Sequence, residues 1–349
     1  MSTDEAEVDE AAPPRVTAKL FGHSGTEAAL LAAYGSGRVP HAFMLIGQNG
    51  IGKATLAYRM ARFVLAHPDP AAPSVQAATS LAVDPQHPVA RRVAAQAHGD
   101  LLVLQRLPNE KGVLRQQIAV DDVRRTISFF GATAGEGGWR VAIVDAVDEL
   151  NRAGANALLK VLEEPPERAL LLLVCHSASR VLPTLRSRCC VLPMRPLSQG
   201  DVGRALAASV GAAESDPQIE AAAAAADGSV ARALAFLDEN ALALRRRALE
   251  ELERLPALNA GALHALGDAL AGTDPRPLNA FIDTVNAWMS GSLDRNGGAG
   301  GGNDLGRLVR LADAWERINT AARDAETYNL ERKPLVFSVF GLLAEATSG

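Results

Sequence analysis

Gly47-Gln48-Asn49-Gly50-Ile51-Gly52-Lys53 follows an uninterrupted apolar run, residues 42–46, and precedes residues 55–65, whose apolar spacing is helical. The stretch supplies G-x-x-x-x-G-K between a predicted strand and a predicted helix. Glycine lets the backbone wrap its amides around phosphate oxygens, the helix N-terminus favours an anion, and Lys53 adds positive charge. The reading is a phosphate-binding loop, with Gly47, Gly50, Gly52, Lys53 and Thr55 as candidate nucleotide-binding residues for ATP or ADP. One position departs from the pattern. The residue after the lysine ordinarily carries a hydroxyl that ligates magnesium, but it is Ala54, and Thr55 comes one step late. A helix turns about 100° per residue, so Thr55 faces elsewhere. The cradle is kept while metal-dependent hydrolysis is weakened.

Outward from the loop, residues 101–104, 140–144 and 169–175 are further apolar runs, separated by helical patterns at 118–130 and 149–163. Strands that are apolar along their whole length and alternate with helices predict an α/β fold with a parallel sheet covered on both faces. Residues 25–33 predict a helix ahead of the first strand, and 67–98, rich in proline and alanine, hold only short helices near 76–81 and 89–97. Beyond Pro196 no strand pattern survives and alanine dominates, with helices at 201–208, 217–226, 230–237 and 241–252. The glycine-rich stretch between Ser290 and Gly306 reads as a flexible loop. Residues 1–15 are acidic and end in Pro13-Pro14, the composition of a disordered tail.

The 349 residues are 48% hydrophobic, enough for two or three domains, and carry a net charge of −5, which argues against a surface that coats nucleic acid. The longest apolar run is far short of the roughly 20 residues of a membrane helix, and the acidic start is unlike a signal peptide. A cytoplasmic protein without a membrane partner is expected. Cys175, Cys189 and Cys190 form no C-x-x-C pair, and His67, His87 and His98 are scattered on a loop where histidines are usually solvated. No metal site, zinc included, is expected.

The strand at 140–144 ends in Asp145, where a P-loop ATPase keeps the carboxylate that organises magnesium. Its neighbour, ordinarily a glutamate that orients the attacking water, is Ala146. Asp148 and Glu149 follow, and read as the start of the next helix, where acids suit the dipole. Farther on stands Ser187-Arg188-Cys189, with Arg180 and Arg186 nearby; taken alone, an exposed arginine there is ordinarily a surface charge.

Together, SGRVPHAFMLIGQNGIGKAT, Trp139-Arg140 leading into VAIVDAVDEL, NALLK with LEEPP, and LPTLRSRC resemble the AAA+ clamp-loader subunits of bacterial DNA polymerase III, over about residues 20–240. The resemblance implies a RecA-like AAA+ P-loop domain over 16–195, a small helical lid over 196–240 and an all-α collar domain over 241–349. Motor subunits of that family carry an intact P-loop, an acidic pair and a lid arginine. Here stand Ala54, Ala146 and, in Gly228-Ser229-Val230-Ala231-Arg232, an alanine ahead of an arginine that falls one residue late. The losses are similar to those of the delta-prime type, which gives up ATP turnover and keeps the SRC arginine. That implies a hetero-pentamer with motor (gamma/tau) and delta subunits within a DNA-directed DNA polymerase holoenzyme, acting on the sliding clamp and primed DNA. It also implies that Arg188 reaches in trans, as an arginine finger, to ATP held by a neighbouring motor. The four zinc-binding cysteines common in the family are absent from 67–98. Trp288, Trp315, Tyr328 and Phe337 are candidates for collar contacts or for packing within the last domain.

Two other readings stay open. In one, the chain is an active AAA+ ATPase in which Thr55 and Asp148 or Glu149 replace the missing groups. The other, a small-molecule P-loop kinase, lacks any recognisable acceptor site.

Overall fold

The computed structural model describes residues 12–108, 115, 117–131, 135, 138–272, 274–296, 304–328 and 330–348. Most of the predicted acidic tail, and residues 297–303 of the glycine-rich stretch, lie outside them. In chain order the first elements are α1 (Ser24–Gly35), β1 (Ala42–Ile46), α2 (Lys53–Ala66), α3 (Pro73–Gln76), α4 (Pro88–Ala94), β2 (Leu101–Gln105) and α5 (Val120–Gly131). Next come β3 (Arg140–Asp145), α6 (Arg152–Glu163), β4 (Ala169–Cys175), α7 (Pro183–Arg186), β5 (Cys190–Pro193) and α8 (Gln199–Val210). The chain then stays helical: α9 (Pro217–Ala225), α10 (Val230–Ala235), α11 (Glu239–Glu253), α12 (Ala260–Ala269), α13 (Pro275–Asn296), α14 (Asp304–Thr327) and α15 (Arg332–Thr347).

The strands form one parallel sheet in the order β2-β3-β4-β1-β5. Every residue of β4, at its centre, is buried. Helices cover both faces: Leu56, Met60 and Phe63 of α2 pack with Phe43, Leu45, Ile143 and Leu172 on one side. On the other, Val123 of α5 and Leu158 and Leu162 of α6 pack with Met44, Val144 and Leu173. Alternate residues of the same strands feed the two cores, so an apolar run without alternation is what this sheet demands. This is the α/β arrangement of a parallel sheet covered on both faces, with helices following it.

Three local expectations need correction. β5 was missed because it is only four residues long, ends in Pro193, lies largely exposed at the sheet edge and follows directly on the Ser187-Arg188-Cys189 corner, so its brief apolar run does not stand apart from the loop. The short helices of 67–98 start earlier than predicted, because Pro73 and Pro88 occupy first-turn positions that suit a residue lacking an N–H. The histidines there are not merely solvated. His87 caps α4 by accepting from Val89 N, and buried His98 accepts from Asp100 N through Nδ1. The segment is tied down by Glu27, whose carboxylate accepts from Arg59 and from Leu81 N, and by Tyr34, which donates to His67 O.

The chain divides into two compact units, Met1–Glu214 with Gly228–Ala231, and Ser215–Asp227 with Arg232–Gly349. The second is purely helical among its described residues. Its core joins α11 to α15 through Leu244, Leu266, Phe281, Ile318 and Phe340. Trp288 and Phe337 pack against this core, whereas Trp315 and Tyr328 are exposed. A reciprocal amide pair, Asn286 with Asn319 at 3.1 Å each way, sets α13 against α14.

Candidate functional site

The carboxyl ends of β1, β3 and β4 lie together, since Ile46 is in register with Cys175, and Asp145 with Val174. The loop 47–52 leaves β1 at this edge and α2 begins at Lys53, with Gly52 at its N-cap. Gly50 and Gly52 take φ of 77° and 96°, the left-handed region that glycine enters without penalty.

The loop's carbonyls are held one after another. Lys53 Nζ donates to Gly47 O at 2.7 Å and to Gln48 O, Ser229 Oγ donates to Asn49 O at 2.9 Å, and Val230 N donates to Gly50 O at 2.8 Å. His23 Nε2 lies 2.8 Å from Ile51 O, which it bonds when that nitrogen is protonated. Fixing the carbonyls fixes the peptide planes of the loop, and a glycine loop with left-handed residues ahead of a helix N-terminus is the kind of backbone that offers amides to an anion. The residues present therefore fit phosphate groups. Gly47, Gly50, Gly52 and Lys53 would hold them, with Thr55 half-buried in the first turn of α2. A magnesium ion fits less well, because Ala54 brings no hydroxyl and packs against the apolar core.

Charge is concentrated around the loop, with Lys53 buried and Asp145, Asp148 and His176 half-buried. Lys53 is 3% exposed, and burial lowers its pKa to about 8 against the pull of Asp145 and Asp148. Burial raises the Asp145 carboxyl, and Lys53 opposes that rise. His176, directly after β4, is pushed down to about 4, first by burial and then by Lys53. An anion among these groups would favour the protonated forms of Lys53 and His176.

Asp148 and Glu149 do not begin α6. They lie in a separate 3₁₀ turn, Val147–Glu149, and α6 has its own cap, Asn151, which accepts from Gly154 N. Both acids are engaged. Asp148 accepts from His176 N at 2.8 Å and Ser177 N at 3.1 Å, pinning the end of β4, while Glu149 pairs with Arg106 at 2.7 Å. Only the structure reveals this, because the partners lie 28, 29 and 43 residues away along the chain.

The turn Gly228–Ala231 lies against the phosphate loop. A Cβ on Gly50 would meet Ser229 Oγ at 2.3 Å and Ala231 Cβ at 2.6 Å. Arg232, one residue on, pairs with Asp227 at 3.5 Å.

Arg188 is elsewhere, just beyond α7. Its Nη1 donates to Thr184 O at 2.9 Å and its Nη2 pairs with Glu163 Oε1 at 3.0 Å, with 37% of the side chain exposed. Leu185 and Cys189 on either side pack into the core formed with α6, which fixes the corner that carries the arginine. The structure thus gathers Gly47, Gly50, Gly52, Lys53 and Asp145 at one sheet edge and presents Arg188 separately on a half-exposed corner. The sequence does not single out Glu163, which the structure pairs with Arg188. Its place in LEEPP marked the end of a helix, and nothing local links that end to SRC.

Residues 22–198 match the family model described as DNA polymerase III, delta subunit. The chain is 37% identical over 170 residues to DNA polymerase III subunit delta' of Pseudomonas aeruginosa, covering 48% of each, and 35% identical over 160 residues to that of Yersinia pestis, covering 46% of this chain and 43% of the relative. It is 31% identical over 186 residues to DNA polymerase III subunit gamma/tau of Mycobacterium bovis, 53% of this chain and 29% of that one. The chain spans about half the length of the delta' relatives it matches.

Proposed function

The chain belongs to the DNA polymerase III delta-subunit family, and on that premise we propose that it is a non-hydrolysing, stator-like subunit of a clamp loader. It supports ATP-dependent loading of a sliding clamp onto primed DNA, beside motor (gamma/tau) and delta subunits. Its own phosphate loop holds ATP or ADP without turning it over, and Arg188 acts in trans on ATP bound by a neighbouring motor. Its last helices join their counterparts in a collar, where exposed Trp315 and Tyr328 are available for contact. It works in the cytoplasm, and no described helix is long and apolar enough to cross a membrane.

The observation that carries this reading is the engagement of the two acids. For the chain to hydrolyse ATP, Asp148 or Glu149 would have to stand in at Ala146, but Asp148 is spent on two backbone amides and Glu149 on Arg106. Neither is free to orient a water without giving up a charge-assisted bond. An arginine that neutralises charge developing on a transferred phosphoryl group is worth roughly 10³ to 10⁵ in rate, so one exposed guanidinium suffices for a role in trans.

Two measurements test it. The isolated chain should hydrolyse no ATP above background; turnover that disappears with Lys53→Ala would establish the motor reading instead. In a loader reconstituted with motor and delta subunits, Arg188→Ala should sharply lower DNA-stimulated ATPase while the complex still assembles. Unchanged ATPase would remove the finger.

A further inference from the structure

Glu163 is the last residue of α6, and Glu164 follows it ahead of Pro165-Pro166. Two carboxylates at the negative end of a helix dipole oppose it. Within α6 only Lys160 offers a cation in the last turn. The second cation comes from another element: Arg188 Nη2 at 3.0 Å from Glu163 Oε1. Its Nη1 is held at the same time by Thr184 O at 2.9 Å. Two contacts on different nitrogens define the plane of a guanidinium, which one contact cannot do. Both anchors are themselves fixed, because Leu158, Leu162, Leu185 and Cys189 share the core beneath them.

Resting on the trans-finger reading, we propose that Glu163 is the positioning residue of that finger: its carboxylate presets the Arg188 side chain on the corner before the neighbouring triphosphate arrives. A free arginine samples many rotamers, and ordering it at the moment of reaction would subtract from the stabilisation it offers. Arg188 keeps N–H groups on Nε and on both terminal nitrogens beyond the two already used, so it can meet phosphate oxygens without leaving Glu163. The two signatures LEEPP and SRC are then one device, with the first holding what the second presents.

The test uses the reconstituted loader with ATP titrated in the presence of primed DNA and clamp. Glu163→Gln keeps the shape and loses the charge, and should lower kcat roughly two- to five-fold with KM unchanged, the range of a half-exposed ion pair that acts only in the transition state. Glu163→Ala should lower it further. Because such a pair contributes little to stability, the variants should melt with the wild type and assemble normally. Adding Glu163→Gln to Arg188→Ala should cause no further loss, since the two act through one group. An equal loss in the Arg188→Ala background, or no loss from Glu163→Gln and Glu163→Ala while Arg188→Ala is impaired, overturns the role of Glu163 and leaves the finger standing. An Arg188→Ala loader with full ATPase overturns the finger itself, and Glu163 with it.

Discussion

Gly50→Ala separates a loop kept for packing from one kept only for its ligand. The new Cβ would lie 2.3 Å from Ser229 Oγ, 2.6 Å from Ala231 Cβ and 3.0 Å from Ala231 N. The hydroxyl can rotate, but the alanine and its backbone cannot without shifting the turn that bonds Gly50 O through Val230 N. A non-glycine residue at φ 77° adds conformational strain. Strain of about 1–2 kcal/mol and overpacking of about 1–3 kcal/mol give a destabilisation of about 2–5 kcal/mol. Hydrogen exchange of β1 and α2 amides reads it locally, with no nucleotide present: protection there should fall roughly 30-fold to 5,000-fold. Ser229→Gly added to Gly50→Ala should restore part of the protection, since it removes the 2.3 Å contact but not the one with Ala231. Exchange indistinguishable from wild type would refute the packing of Gly228–Ala231 on the loop, and with it the claim that this glycine is required by the protein's own chain.

Three further outcomes follow from the same geometry. Lys53 titrates near 8 in the folded protein and near 10.5 unfolded, so between those pH values the unfolded chain binds the extra proton and stability rises with pH. The stability of wild type relative to Lys53→Met should therefore improve by about 3 kcal/mol from pH 7 to 10.5 in urea unfolding, and a pH-independent difference would contradict the burial of the charge. Asp148→Ala strips the acceptor from His176 N and Ser177 N and should cost about 2–4 kcal/mol in the same assay; a neutral result would free Asp148 for catalysis. Asn286→Ala, which orphans one side of the Asn319 pair, should cost about 1 kcal/mol, and Asn286→Leu with Asn319→Leu should cost less than that single change.

Much of the first unit was legible because its sheet has an unusual demand. β1 and β4 are covered on both faces, so their apolar runs coincide with the strands at both ends. β5 is a four-residue exposed edge ending in Pro193, and its apolar run is too brief to be told from the loop that precedes it. Asp148 and Glu149 were misplaced because acids near a helix start satisfy the dipole rule equally well whether or not they belong to that helix. Asn151 is the actual cap, one residue before α6.

The sequence by itself determined the local chemistry: where glycine permits positive φ, that a lysine follows the glycine loop, and that positions 54 and 146 carry alanine and so bring neither a hydroxyl nor a carboxylate. Those facts depend on a residue and its immediate neighbours. Only the tertiary structure decided which groups were already spoken for. Ser229 reaches Asn49 across 180 positions, Asp148 reaches His176 across 28, and Arg188 finds Glu163 at the end of a different helix. Such pairings are settled by the path of the chain around the sheet, and hydrophobic period and φ preference carry no record of that path.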